Sequence, residues 1–142
     1  MKKTLLTLLT ATLLFTGSTT VLSADKATQQ AKPFLIQGKL PHLTMMVKIL
    51  WDDEDLALTS KQQKQLLEIR KKTMGTAKTL KIKILKLEDK VVKESQAGAK
   101  PETMQKLVKE IASLRVQATM IHLECIYDTR AVLSKDQLYI VE

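Results

Sequence analysis

The longest regular feature of the chain is an apolar pattern between residues 66 and 91, in which apolar or small residues recur every three or four positions. This spacing keeps the side chains on one face of an α-helix. We call this face the inner seam; it comprises Leu66, Ile69, Thr73, Ala77, Leu80, Ile84, Leu87 and Val91. The chain contains only four Gly, three Pro and 4% aromatic residues, which argues against an all-β fold. We therefore predict one helix that begins after Leu58 and ends near Gln96, roughly 50 Å long.

Glycine and proline mark the ends of the neighbouring elements. Gly98 is placed to supply a left-handed cap, and Pro101 begins a second long helix that continues to about Val132. Because the link between the two helices is short, they should pack as antiparallel neighbours with their seams facing. The seam of the second helix comprises Met104, Leu107, Ile111, Leu114, Ala118, Ile121 and Cys125. The predicted fold is all-α: a long antiparallel helical hairpin flanked by short helices over 42–51 and 134–142.

A hairpin of this length buries each helix on one side only. We therefore expect a second copy of the chain to supply further burial, giving a homodimer. Gly75 interrupts the long helix at a cost of about 1 kcal/mol relative to alanine. This glycine either permits a bend or a close backbone crossing, or is simply tolerated.

The first 24 residues have the three-part pattern of a secretory signal peptide. Lys2 and Lys3 precede a short apolar run, and small residues follow it, with cleavage expected after Ser23 or Ala24. The apolar run is shorter than the roughly 20 residues that span a bilayer; the alternative is an amphipathic or buried helix. Removing two lysines and no acidic residue lowers the formal charge from +8 to +6. We predict a flexible leader over 25–40, a helical domain over 41–142, and no nucleic-acid partner because the protein is exported.

The same five-residue pattern, Leu-Thr/Ser-x-x-Gln, occurs before the long helix and again near the end of the chain. In each copy the hydroxyl can accept a hydrogen bond from the amide three residues later, while the glutamine reaches back to the amide of the hydroxyl-bearing residue. The leucine occupies the position of a hydrophobic staple. Each copy therefore predicts a helix start; the two are Leu58-Thr59-Ser60-Lys61-Gln62 and Leu133-Ser134-Lys135-Asp136-Gln137.

Together with the signal peptide and the all-helical remainder, this pair of motifs resembles the Spy/CpxP family of periplasmic proteins. The resemblance covers the region from about Pro41 to Glu142, with Ser134 standing where the family motif has threonine. It implies a cradle-shaped four-helix homodimer in the Gram-negative periplasm. Members of that family act as ATP-independent chaperones, as adaptors that damp envelope-stress signalling, or as metal-linked sensor and resistance proteins. The expected partners are unfolded or misfolded periplasmic proteins or the periplasmic domain of a sensor kinase.

The long helix carries a second apolar stripe, more than 90° from the inner seam at about 100° per residue. Nine basic residues lie between Arg70 and Lys93, against only Glu88 and Asp89. Such a surface would attract unfolded or acidic chains by charge and hold them by shallow apolar contacts; alternatively, it is a dimer interface with solvated lysines at its rim. We call it the outer stripe: Leu67, Met74, Lys78, Lys81, Ile82, Leu85, Lys86 and Val92.

A metal site is the runner-up interpretation. His122 and Cys125 lie three residues apart on one helix, and His42 is the other candidate ligand. Cys125 also falls on the apolar seam, where a free cysteine usually behaves as a small hydrophobe. The alternative is an intermolecular disulfide between Cys125 and its counterpart across a dimer axis.

No catalytic motif, phosphate-binding loop or calcium-loop spacing is present in the sequence. The leading prediction is a non-enzymatic chaperone or stress adaptor without a cofactor. A metal-binding sensor or resistance protein is the alternative. A protein that binds a membrane surface through its basic helix, without stable insertion, is the third class.

Overall fold

The computed structural model describes residues 32–36 and 38–142, and within them the chain forms four helices and no strand. This confirms the predicted all-α hairpin flanked by short helices. The predicted signal peptide lies outside the described residues. The helices are α1 (Leu43–Ile49), α2 (Ser60–Gln96), α3 (Pro101–Val132) and α4 (Lys135–Val141).

Helices α2 and α3 pack against each other as an antiparallel pair along their predicted seams. On α2, Leu66, Leu80 and Ile84 are buried, and the other members of the inner seam are half-buried. On α3, Met104, Ala118 and Cys125 are buried, and the seam residues between them are half-buried. The spacing of apolar residues therefore identified the packed face of both long helices.

The turn between the long helices is closed by a Schellman motif. The N–H of Gly98 donates to the carbonyl of Ser95 at 3.0 Å, and the N–H of Ala99 donates to the carbonyl of Glu94 at 3.0 Å. Gly98 has a φ of 78°, in the left-handed region that side chains disfavour. Pro101 then occupies the first turn of α3, where its missing N–H leaves no hydrogen bond unmade.

The hydrophobic core lies at the open end of the hairpin, where α1 and α4 pack against the start of α2 and the end of α3. Side chains from all of these elements and from the loop before α2 contribute. The buried members are Leu43, Val47, Leu56, Leu66, Leu133 and Val141. The rest of the hairpin is a two-helix arm; apart from one section of α3, the described residues leave its outward faces uncovered.

The described part of the leader lies along α3. The N–H of Leu35 donates to Oγ1 of Thr119 at 2.8 Å, and the carbonyl of Lys32 accepts from the guanidinium of Arg115 at 3.0 Å. Residues 32–36 therefore cover a section of α3 that would otherwise face solvent.

Helix α2 continues through Gly75 without a break, and a Cβ atom at this position would meet open space. No close backbone crossing exists at Gly75 among the described residues. Within that same part of the chain, no helix combines the length and the apolar character needed to cross a membrane.

Candidate functional site

Both repeated motifs form capping boxes. At the start of α2, the N–H of Gln62 donates to the hydroxyl of Thr59 at 3.2 Å, and the N–H of Thr59 donates to Oε1 of Gln62 at 3.0 Å. At the start of α4, Ser134 and Gln137 make the same pair of bonds at 3.2 and 3.0 Å. Each glutamine is therefore fixed in position by the backbone of its own cap.

The staple leucines of the two motifs sit at the core. Leu133 is buried, and Leu58 is half-buried against the same core cluster. Leu138, four residues after Ser134, also packs against this cluster, in the place expected for the partner of a staple. The motifs thus attach the beginnings of α2 and α4 to one shared core.

The two motif glutamines also bind each other, which the sequence analysis did not anticipate. Nε2 of Gln62 donates to Oε1 of Gln137 at 2.7 Å and to the carbonyl of Val132 at 3.0 Å. Nε2 of Gln137 donates to the carbonyl of Leu56 at 2.8 Å. Each amide oxygen accepts from the backbone of its own cap, and each amide nitrogen donates to a carbonyl next to the opposite motif; the oxygen of Gln137 also accepts from Gln62. We call this arrangement the glutamine bridge; it joins the two ends of the chain segment between residues 56 and 137.

The outer stripe of α2 faces away from α3. Leu67, Met74, Ile82 and Val92 are each more than half exposed, and Leu85 is 39% exposed. Large apolar side chains scattered singly on a surface are ordinary, but these recur along one face of a single helix. The outer stripe is therefore an apolar surface that the described residues leave open.

The lysines of the outer stripe carry unneutralised charge. Lys78 and Lys86 are exposed and Lys81 is half-buried. None of the three forms an ion pair with a carboxylate among the described residues. The outer stripe therefore combines apolar contact area with positive charge that is free to attract an acidic or unfolded chain.

Two ion pairs join the long helices among the described residues, and neither involves these lysines. Nζ of Lys72 donates to Glu124 across the hairpin at 2.7 Å, and this hydrogen bond, with the charge of Glu124, raises the pKa of Lys72. The guanidinium of Arg115 donates to Glu88 at 2.6 Å. Both pairs connect α2 to α3, so they help to hold the hairpin closed.

A second exposed apolar set lies on α3 and was missed by the sequence analysis. Val116, Met120 and Tyr127 are 47%, 58% and 75% exposed. Their helical spacing places them on the face opposite the α3 seam. The spacing of these three residues is visible in the sequence, but the seam of α3 is the more continuous apolar pattern.

The candidate metal ligands come together only in part. His42 and Phe34 both stack on the ring of His122, with ring centroids 4.8 Å apart in each case. The planes of the two imidazoles are inclined by 18°, so their nitrogen lone pairs, which lie in the ring planes, do not point toward one another. Among the described residues, no three His, Cys, Asp or Glu side chains are grouped to hold an ion.

His122 is nevertheless an unusual buried residue. Its side chain is only 6% exposed, and neither ring nitrogen has a hydrogen-bond partner among the residues that the structure describes. Burial lowers the pKa of His122, and the nearby charges of His42 and Lys32 lower it further. The carbonyl of Pro41 acts in the opposite direction, but it does not meet the distance and angle of a hydrogen bond. The lowered pKa favours the neutral imidazole, which is the form that binds metals.

Cys125 lies one turn along α3 from His122 and is a free, buried thiol. Its sulfur is 3.9 Å from the hydroxyl of Thr44 on α1. A cleft of about 310 Å³ between α1, α2 and α3 is lined in part by His42, His122 and Cys125. The thiol thus packs as part of the α3 seam while it borders a space next to both histidines.

Comparison of the chain with models of known protein families, with curated proteins and with solved structures found no match.

Proposed function

We propose that this protein is a non-enzymatic, ATP-independent periplasmic chaperone or envelope-stress adaptor that binds unfolded or partner proteins on the outer stripe of α2. The observation that carries the proposal is the exposure of five large apolar side chains along one helical face, next to lysines that have no acidic partner in the described part of the chain. Unfolded chains expose apolar groups that shallow, flexible contacts can hold without sequence specificity. The periplasmic location rests on the signal-peptide pattern.

The paired motifs and the helical hairpin support the same proposal through the resemblance to the Spy/CpxP family. That resemblance also carries the proposed cradle-shaped homodimer and the sensor-kinase domain as an alternative partner. The open outer faces of the two-helix arm leave room for a second copy. The outer stripe extends over most of α2, so a second copy and a client can bind to different parts of it.

An aggregation assay with a chemically unfolded client tests the proposal. The purified protein should suppress light scattering at a few-fold molar excess, without a nucleotide. Replacing Lys78, Lys81 and Lys86 with Glu should weaken suppression while helicity is retained, because the apolar contacts remain but the attraction is reversed. The matched control changes Lys100, the N-cap residue of α3, and Lys106 and Lys109 on α3 to Glu, which alters the net charge by the same amount.

Absence of suppression by the unmodified protein would contradict the chaperone role. Equal loss of activity in the control variant would show that net charge, and not the outer stripe, is responsible. Sedimentation analysis of both variants separates an effect on client binding from an effect on dimerisation.

A metal-binding sensor or resistance role is the second candidate, and the buried, unpartnered imidazole of His122 favours it. In this role His122 and His42 would rotate out of their stack to share an ion, with Cys125 as the third ligand. Native mass spectrometry with zinc, copper and nickel should then show one ion per chain, and His122→Ala should abolish it. Absence of a stoichiometric adduct would contradict this role.

A further inference from the structure

A separate cleft of about 360 Å³ lies between α1 and the first turns of α2. Val47 and Leu66 are almost fully buried and form its floor, while Trp51 is half-buried and Leu67 is largely exposed. The volume is within the range of small-molecule pockets, and pockets between the helices of a bundle are common sites. The cleft therefore offers a compact ligand an apolar floor continuous with the core.

Two cationic side chains complete the lining. Lys48 on α1 is exposed and Arg70 on α2 is half-buried. Neither pairs with a carboxylate of the described residues, and no Asp or Glu lines the cleft. A lysine and an arginine beside an apolar floor are complementary to a ligand with an anionic head and an apolar body.

The polarity of the residues that line the cleft indicates whether its apolar ligand is a polypeptide segment or a hydrocarbon chain. Among the described residues that line the cleft, the only uncharged polar groups of the side chains are the hydroxyl of Thr44 and the indole N–H of Trp51. A polypeptide segment brings an N–H and a carbonyl group with almost every residue, and these groups need partners when they are buried. An alkyl chain has no such requirement. The cleft is therefore better suited to a hydrocarbon chain than to a peptide.

We propose that this cleft binds a free alkyl carboxylate, a single hydrocarbon chain with one carboxylate head. The head lies between Lys48 and Arg70, and the chain covers Val47, Leu66 and Trp51. This site is distinct from the binding of unfolded proteins proposed above, and its test uses no protein client.

The chain provides its own reporter, because Trp51 is its one tryptophan and lines the cleft. The purified protein is titrated with dodecanoate below its micelle concentration, and Trp51 fluorescence is recorded. A saturable change is expected, with one ligand per chain by calorimetry. Dodecanol and dodecyltrimethylammonium, which share the hydrocarbon chain but lack the negative charge, should bind at least about tenfold more weakly.

Single substitutions locate the carboxylate. Arg70→Gln and Lys48→Gln should each weaken dodecanoate binding by up to about tenfold, because each removes a charged hydrogen-bond donor that is partly solvated. The control is Lys78→Gln, an exposed lysine on the same helix outside the cleft, which should bind dodecanoate normally. Circular dichroism checks that all three variants are folded.

Three results would overturn the proposal. The first is a fluorescence change that does not saturate, which indicates general partitioning of a detergent. The second is dodecanol binding as tightly as dodecanoate. The third is an equal effect of Lys78→Gln and Arg70→Gln, which would mean that overall charge, and not the cleft, attracts the anion.

Discussion

The glutamine bridge makes a prediction that a simple capping role does not. In a capping box, glutamate and glutamine serve equally at the third helical position, because either side-chain oxygen accepts from the cap amide. Gln62→Glu should therefore be harmless if the motif only begins a helix. In the structure, however, Nε2 of Gln62 donates to Gln137 and to the carbonyl of Val132, and a carboxylate can donate neither bond.

The expected cost follows from the bonds that are lost. Two hydrogen bonds at a net value of about 1 kcal/mol each give a loss of about 2 kcal/mol for Gln62→Glu. Gln62→Ala also loses the bond to the Thr59 amide and should lose about 3 kcal/mol in total. Gln65→Ala, an exposed glutamine on the same helix, is the matched control and should stay within about 0.5 kcal/mol.

The assay is urea unfolding followed by far-UV circular dichroism, with the free energy of unfolding obtained by linear extrapolation. A double-mutant cycle with Gln62→Ala and Gln137→Ala isolates the bond between the two side chains, and its coupling should be about 1 kcal/mol. A Gln62→Glu variant as stable as the parent, or additive effects in the cycle, would refute the bridge and leave only two separate caps.

Backbone and titration effects give further predictions. Gly75→Ala should raise the free energy of unfolding by about 1 kcal/mol because its Cβ meets open space, and a loss of stability would instead indicate a second copy packed against this position. Gly98→Ala should lower stability by about 1–2 kcal/mol, and Ala57→Gly should raise it by a similar amount, because both positions have positive φ; urea unfolding measures all three. The pKa of His122 is lowered from its ordinary value of 6.5, so the unfolded state binds the proton more tightly and stability should fall as the pH decreases below about 6.5. His122→Leu should flatten that part of the stability–pH profile. An unchanged profile would show that His122 does not cause this pH dependence.

The sequence predicted the helices well because their signals are local. The seam residues Leu66 to Val91 repeat with the helical period, and Gly98 and Pro101 mark a turn through their own backbone preferences. The capping boxes could be predicted for the same reason, since each involves residues only three positions apart.

Contacts between distant parts of the chain were harder to predict. The glutamine bridge joins residues 75 positions apart, and a hydrogen bond of this kind leaves no periodic pattern in one sequence. The sequence did indicate that the two motifs lie close together. Residues equally far from the turn of an antiparallel hairpin face each other, and this places Gln62 near the start of α4. The stacking of His122 on Phe34 and His42 depends on how the leader and α1 settle on α3, and no local rule specifies that arrangement.

Site-specific photo-crosslinking shows whether an unfolded protein contacts the outer stripe of α2. A photoreactive amino acid is placed at Ile82 on the outer stripe or at Glu110, which is exposed on α3 and serves as the control. With an unfolded client present, we expect client crosslinks from position 82 and few from position 110. Equal crosslinking from both positions, or crosslinks from position 82 only to a second copy of the chain, would contradict it.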